Sequence, residues 1–254
     1  MSRRLELCQV SKRFGDLDVL ADITLHVEPG EFVSILGPSG AGKSTIFGLL
    51  TGGLDGHGGE IAFDGRPLAE ARRPFAFMPQ RDALMPWRTV IDNTALGLEV
   101  QGLSRKAARD KVGPLFDEFG LAGFEHNYPA QLSGGMRQRA ALLRTVVQDR
   151  GMLLLDEPFG ALDALTRSGM QRWLQTMWDR HRWTVLLITH DVREAVFLSD
   201  RIYVLTGRPA RVLREIPIPL PRPRRDLASP EASAIEADIL DTLLDPQFDQ
   251  RTLP

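Results

Sequence analysis

The sequence predicts an α/β fold in which a mixed sheet is joined by an antiparallel β subdomain and an inserted helical subdomain. Segments 5–10 and 23–27 alternate apolar and polar residues, as antiparallel strands with one covered face do. Segment 32–36 is a short, nearly continuous apolar run, which is typical of a strand buried on both faces. Segments 152–155 and 184–189 are further short apolar runs separated by a predicted helix, and strand, helix, strand is the crossover pattern of a parallel sheet.

The other elements follow from the same periodicities. Helical patterns cover residues 43–50, 105–120, 134–147, 164–181 and 230–244. Further short strands are predicted at 60–63, 75–78 and 202–205. An extended connector is predicted by Pro217, Pro219, Pro221 and Pro223. We therefore expect one domain over residues 1–213, with the helical subdomain inserted at about 83–140, and then a proline-rich connector and short helical tail over 214–254.

The composition is that of an ordinary globular enzyme. The 254 residues are 43% hydrophobic and 25% charged, and the net charge of -2 disfavours nucleic acid as the main partner. Cys8 is the only cysteine, so no internal disulfide can form and a reducing compartment is expected. The first ten residues lack the apolar stretch of a signal peptide, and no window approaches membrane-spanning length. Any membrane role is therefore expected to come through a partner subunit.

Segment 37–45, with the sequence GPSGAGKST, has the spacing of a phosphate-binding loop between a strand and a helix. Glycines let successive backbone amides converge on phosphate oxygens, and the helix amino terminus adds partial positive charge. Lys43 would neutralise the β- and γ-phosphates, and the Ser44 hydroxyl would ligate Mg2+. The alternative is a glycine-rich turn that matches the motif by chance. The predicted ATP contacts of the loop are Gly37, Pro38, Ser39, Gly40, Ala41, Gly42, Lys43, Ser44 and Thr45.

Polar side chains that suit catalysis follow three of the predicted strands. Asp156 and Glu157 come where one strand ends, at the carboxyl edge at which α/β sheets bind ligands. Asp156 would hold the hydration shell of Mg2+, and Glu157 would polarise the attacking water as general base. His190 could bond the γ-phosphate, and the amide oxygen of Gln80 could meet Mg2+ or the water. Taken singly, these residues could be a solvated acidic turn, a structural histidine and a turn glutamine.

A second phosphate-binding turn is predicted in segment 132–139, with the sequence LSGGMRQR, immediately before a helix. Ser133 and the amides of Gly134 and Gly135 would bind phosphate at that helix amino terminus. One ATP has no obvious need for two such loops in one subunit. A simple solution is that each loop contacts ATP held by another copy of the chain.

With these motifs in this order, the sequence resembles the ATP-binding cassette (ABC) transporter ATPases over residues 5 to about 213. The resemblance implies a P-loop NTPase core with a RecA-like mixed sheet, ATP hydrolysis, and ATP and Mg2+ as cofactors. It assigns the glutamine loop to Gln80, the switch histidine to His190 and a dimer contact to Asp163. Phe14 stands where the family usually stacks a tyrosine on adenine, so stacking is kept without the hydroxyl.

The same resemblance implies how the subunit assembles. Two copies would form a head-to-tail dimer, with each ATP held by the phosphate loop of one subunit and the signature of the other. The residues expected to reach across are Ser133, Gly134, Gly135 and Gln138. Met136 stands where glutamine is commonest, which leaves the serine and both glycines in place. Integral membrane permease subunits and, indirectly, a periplasmic or lipid-anchored solute-binding protein are the implied partners, at the cytoplasmic face of the bacterial inner membrane.

Segment 84–90 of the helical insertion is expected to contact the permease, because Trp and Arg are enriched at interfaces; its alternative role is packing within the helical subdomain. Residues 86–90, together with Met136, are similar to the branch that imports nitrate, sulfonates, taurine and related small anions, or thiamine precursors. The ATPase subunit does not enclose the solute, so its sequence does not specify the compound.

The sequence disfavours three other functions. A soluble ABC ATPase acting on ribosomes or DNA would usually carry two cassettes or a long coiled-coil insertion, and this sequence has neither. A P-loop kinase or GTPase has no use for the signature at 132–138. A non-catalytic binding module would be expected to lose Glu157, Lys43 or His190, and all three are present.

Overall fold

The computed structural model describes residues 4–72, 74–224 and 229–244, and the chain forms two compact bodies. The first body draws on the described residues of Met1–Phe75 and Gln171–Pro254, and the second is Ala76–Met170. The part of the chain that the structure describes holds ten strands and eight α-helices. In chain order these are β1 (Leu5–Phe14), β2 (Leu17–Val27), β3 (Phe32–Leu36), α1 (Lys43–Leu50), β4 (Gly58–Phe63), β5 (Arg66–Pro67), β6 (Phe75–Met78), α2 (Val90–Val100), α3 (Arg105–Val112), α4 (Leu115–Glu118), α5 (Gly134–Val146), β7 (Met152–Asp156), α6 (Ala164–His181), β8 (Val185–Thr189), α7 (Val192–Leu198), β9 (Arg201–Leu205), β10 (Val212–Pro217) and α8 (Pro230–Leu244).

The first body contains a four-stranded antiparallel sheet and the larger part of a mixed sheet. The antiparallel sheet has the order β2-β1-β4-β5, and alternate residues of β1, such as Leu5 and Leu7, are buried. In the mixed sheet, four strands follow the order β10-β9-β3-β8, with β3 parallel to both neighbours and β10 antiparallel to β9. Every residue of β3 and β8 is buried, as the apolar runs predicted. The predicted α/β fold with a mixed sheet and an antiparallel subdomain is therefore confirmed.

The second body is mostly helical. It contains α2 to α5 and the neighbouring strands β7 and β6, and α6 begins within it. The predicted single helix over 105–120 is wrong, because α3 ends at Val112 and a separate short helix, α4, follows Pro114. A proline has no N–H to donate to the preceding turn, so the helical ladder is interrupted there.

Besides the two-residue strand β5, two longer elements of the first body, α7 and β10, are absent from the sequence predictions. Helix α7 (Val192–Leu198) is capped by Asp191, whose side chain accepts a bond from the Glu194 amide 3.1 Å away. An Asp followed three residues later by Glu is a helix-start pattern, so the sequence did contain a sign of this helix. Strand β10 occupies part of the expected connector and pairs in register with β9, for example Ile216 with Ile202. The alternation of apolar and polar residues in β10 is short and interrupted by charged residues, so the sequence did not indicate a strand there.

The predicted helix at 230–244 is confirmed as α8, and it packs on the core. Its buried Ile239 joins a cluster with Val192 and Val196 of α7 and Ile216 of β10. Ion pairs from Arg214 to Asp238 at 2.8 Å and from Arg193 to Glu236 at 3.2 Å flank this contact. The remaining parts of the predicted tail, 225–228 and 245–254, lie outside the described residues.

Within the described stretches of chain, no helix combines the length and the apolar character needed to cross a bilayer.

A buried carboxylate ties α2 to α3 in the second body. The side chain of Asp92 is only 3% exposed. It accepts bonds from Arg105 Nε at 3.1 Å, from Arg109 Nε at 2.7 Å and from the Thr89 hydroxyl at 2.9 Å. Hydrogen bonding to Arg105, reinforced by Arg109, holds the pKa of Asp92 well below its usual range.

We predict that Asp92→Asn lowers the free energy of unfolding by about 1.5–3 kcal/mol at pH 7, because bonds to two guanidinium groups lose their charge. The folded pKa of Asp92 is depressed, so its contribution to stability is full above an unfolded pKa of about 3.9. It begins to decrease as the pH falls below that value and is lost completely only below the folded pKa. Chemical unfolding at pH 7, 5 and 3.5 checks this. Asp110→Asn, at an exposed position of α3, is the matched control. A deficit that stays constant down to pH 3.5 would contradict the prediction.

Candidate functional site

The phosphate loop, residues 37–45, connects β3 to α1 in the first body. Gly42 stands at the helix amino terminus with φ of 92°, in the region that favours glycine. A Cβ there would lie 2.9 Å from side-chain carbons of both Val19 and Leu20 on β2. The glycine at this position is therefore required twice, by the backbone conformation and by the close approach of β2.

Lys43 is buried and bends back over its own loop. Its Nζ donates to the carbonyl oxygens of Gly37 at 2.8 Å and Pro38 at 2.9 Å. These two bonds fix the positive charge of Lys43 at the loop. Ser44, by contrast, is exposed on the first turn of α1.

Sheet register places His190 beside the phosphate loop. Leu36 at the end of β3 pairs with Thr189 at the end of the parallel strand β8. The phosphate loop starts directly after Leu36, and His190 directly after Thr189, so both leave the same edge of the sheet at the same level. The His190 side chain is exposed there.

In the second body, the structure brings Gln80 and Glu157 together. The amide nitrogen of Gln80 donates to Oε2 of Glu157 at 3.1 Å. Because the nitrogen is used in this way, the amide oxygen is the atom of Gln80 that suits a cation or a water. Glu157 has φ of 43°, in the left-handed region, which is uncommon for a residue with a side chain. Asp156, the last residue of β7, is half-buried beside it.

The signature turn is a helix cap as well as a candidate phosphate site. Ser133 is exposed at the amino terminus of α5, and its hydroxyl oxygen accepts a bond from the Met136 amide at 3.3 Å. The hydroxyl proton can still be donated to a phosphate. A Cβ on Gly134 would lie 3.2 Å from Leu162, and one on Gly135 would lie 3.1 Å from the methyl group of Thr166. At both positions, close packing leaves little room for a side chain.

That packing joins the signature turn to the predicted dimer-contact loop. Asp163 Oδ1 accepts a bond from the Thr166 amide at 3.0 Å. Hydrogen bonding to Thr166 lowers the pKa of Asp163, which is exposed. Thr166 thus touches both the carboxylate of Asp163 and the backbone at Gly135. The two motifs form one packed surface of the second body.

Two predicted nucleotide contacts differ in exposure. Phe14 is 43% exposed, with Lys12 Nζ 4.9 Å from the centre of its ring, so a face suitable for stacking lies at the surface of the first body. Gln138 is buried on α5, and its Oε1 has no hydrogen-bond partner in the described chain. The contact of Gln138 with a nucleotide of another copy stays a prediction.

Segment 84–90 is partly core and partly surface. Leu84 and Val90 are buried, whereas Trp87 is 73% exposed. Asn93 fastens the segment, because its Oδ1 accepts from the Met85 amide and its Nδ2 donates to three carbonyls of residues 85–89. The sequence analysis missed Asn93, since nothing local marks a side chain that bonds the loop before its helix.

Two arginines of α5 hold the residues directly before segment 84–90. The sequence analysis did not predict this role for them either. Arg137 Nε donates to the Asp82 carboxylate at 3.2 Å. Arg144 donates to the backbone oxygens of Asp82 and Ala83 at 2.6 and 2.7 Å. The chain that follows Gln80 is thereby attached to the helix that carries the signature.

The chain matches the family model of the ABC transporter over residues 20–160. An aliphatic sulfonates import ATP-binding protein, SsuB 2 of Pseudomonas aeruginosa, is 44% identical over 240 residues, which are 94% of this chain and 84% of the relative. The formylaminopyrimidine import ATP-binding protein ThiZ of Halalkalibacterium halodurans is 40% identical over 232 residues, 89% of this chain and 90% of the relative.

Among solved structures, the chain is similar to the dimeric ATP-binding cassette MJ0796 in a post-hydrolysis state bound to ADP and Pi. The TM-score is 0.70 at 29% sequence identity, covering 84% of this chain and 98% of that one. These likenesses favour the transporter over the soluble ABC ATPase, the kinase and the non-catalytic module. The chain belongs to the ABC transporter family, as the ATP-hydrolysing subunit that energises an importer.

Proposed function

We propose that two copies of the chain clamp two ATP molecules and power the uptake of a small organic anion, with aliphatic sulfonates as the first candidate. The support for the solute is the 44% identity to SsuB 2 along almost the whole chain. A thiamine precursor is the second candidate, favoured by the 40% identity to ThiZ. Nitrate and taurine, which the sequence also suggested, are tested beside them.

The contact between Gln80 and Glu157 carries the catalytic part of the proposal. Glu157 accepts the proton of the attacking water, and the Gln80 amide holds the carboxylate in one orientation. Lys43 neutralises phosphate charge, and His190, level with the phosphate loop, bonds the γ-phosphate. Phe14 stacks on the adenine.

Mg2+ is part of the proposal, with Ser44 of the first body and Gln80 and Asp156 of the second body as its protein ligands. Each of these side chains carries an oxygen, the donor that this hard cation prefers, and Mg2+ usually keeps several waters beside a few protein ligands. The Gln80 nitrogen is engaged by Glu157, which presents the amide oxygen. Mg2+ bound there would neutralise charge on the β- and γ-phosphates.

The trans arrangement rests on the exposed Ser133 at the amino terminus of α5. A second phosphate-binding turn, packed against the loop of Asp163, suits an ATP held by the partner subunit. The dimer is head-to-tail, with two identical ATP sites at its interface.

Permease subunits dock on the second body at segment 84–90, where Trp87 offers an exposed aromatic anchor on a loop fixed by Asn93. The subunit works at the cytoplasmic face of the bacterial inner membrane, and a solute-binding protein delivers the anion to the permease.

We predict that Glu157→Gln lowers the hydrolysis rate about 100-fold or more, because the general base is lost while ATP binding is kept. ATP should then hold a stable dimer, which size-exclusion chromatography detects. Glu70→Gln, the same change at an exposed turn of the first body, is the control and should behave as the parent chain. A variant that remains monomeric with ATP would count heavily against the clamp.

We predict that Ser133→Arg abolishes hydrolysis while the isolated monomer binds ATP with nearly unchanged affinity, because the bulky side chain blocks only the partner's nucleotide. Equilibrium binding at low protein concentration and steady-state hydrolysis at high concentration measure the two effects. Ser168→Arg, on the exposed face of α6, is the control. If nucleotide affinity fell in parallel with activity, the two-subunit site would be wrong.

The solute is tested on the complete transporter. We predict that the chain co-purifies with membrane permease subunits, and that an alkanesulfonate with its binding protein raises the hydrolysis rate. Formylaminopyrimidine, nitrate and taurine are assayed in parallel. Stimulation by formylaminopyrimidine alone would favour the second candidate, and co-isolation of ribosomes without membrane protein would refute the importer.

A further inference from the structure

A loop outside all the family motifs lies against the phosphate loop. This β9–β10 loop, residues 206–211, belongs to the first body, as the phosphate loop does. A Cβ on Gly37 would lie 3.2 Å from Cβ of Leu205, directly before it. At its middle, Arg208 donates from Nη2 to the carbonyl oxygen of Gly40 at 2.9 Å.

The β9–β10 loop is itself held rigidly. The Thr206 amide donates to the carbonyl of Arg211 at 3.0 Å, and the Thr206 hydroxyl accepts from the Arg211 amide at 2.9 Å. The backbone of Ala210 bonds to β2 on both sides, donating to Val19 and accepting from Ala21, each at 2.9 Å. Arg208 is therefore presented from a closed loop that is anchored to the sheet.

Arg208 bonds to the phosphate loop at Gly40, where the backbone has most conformational freedom. Gly40 is exposed and has φ of 80°, so neither packing nor a side chain restricts it. The carbonyl of the peptide between Gly40 and Ala41 accepts from Arg208, and its N–H donates to Pro38 at 3.2 Å. Both ends of this peptide are thus fixed, which sets the direction of the amides that follow it.

We propose that Arg208 is a positioning residue for the phosphates of ATP, acting through the Gly40 carbonyl. The inference rests on the proposed assignment of residues 37–45 as the ATP site. A glycine-rich loop that must be ordered when ATP binds loses affinity through that ordering, and a loop already held in the binding conformation does not. A charged donor gives a stronger bond to the carbonyl than a neutral one.

The test compares Arg208→Ala with Arg211→Ala, which removes the same charge from the same loop. No contact between the Arg211 side chain and the phosphate loop is found among the described residues. We expect Arg208→Ala to raise the KM for ATP about 5- to 10-fold, with a smaller change in kcat. The inhibition constant of adenosine, which has no phosphate, should stay within about twofold.

Two further variants, Arg208→Lys and Lys43→Ala, make the outcome decisive. Arg208→Lys, which keeps a charged donor, should recover most of the affinity for ATP. Equal effects of Arg208→Ala and Arg211→Ala would show that only the net charge matters, and an equal loss of adenosine affinity would show general damage; either overturns the inference. Lys43→Ala tests the assignment of the site itself. If Lys43→Ala weakens ATP binding and Arg208→Ala does not, the inference alone fails; if neither does, the proposed ATP site fails.

Discussion

The phosphate loop depends on one steric constraint, the absence of a side chain at Gly42. The residue lies at φ of 92° with Val19 and Leu20 so close that a Cβ would be only 2.9 Å from each. Strand β2 can therefore approach the start of α1. Ala210 is bonded to β2, so the β9–β10 loop also lies close to the phosphate loop. The antiparallel sheet, the mixed sheet and the phosphate loop of the first body are joined at this point. The conformation that binds phosphate is thus held by the fold around it.

In the second body, polar contacts between distant segments have the same role. Arg137 and Arg144 of the signature helix hold Asp82, and Asn93 holds the loop that precedes α2. Buried or half-buried bonds of this kind are costly to leave unmade, so they define one arrangement of the backbone. The chain between Gln80 and α2 is consequently held in one conformation against the helix that carries the signature.

Strain and hydrogen bonding coincide at the Glu157 carboxylate. Glu157 adopts φ of 43° and receives the Gln80 amide, so the carboxylate has a defined direction at the end of β7. A conformation of this type persists only where surrounding structure holds it. The proline next to it, Pro158, and the bond from the Gly160 amide to the Glu157 carbonyl restrict the turn further.

The sequence alone determined the fold class, the bounds of α1, α6 and α8, and every motif whose residues are contiguous. Phosphate loops, helix caps and buried strands are encoded within ten residues or so, because their chemistry is local. The end of α3 before Pro114 is also encoded locally, by the proline, although the sequence analysis did not predict it. Only the tertiary structure decided that β10 pairs with β9, and that Gln80 meets Glu157 and Arg208 meets Gly40. These contacts join residues far apart in the chain, and sheet register and loop packing, which no local pattern encodes, bring them together.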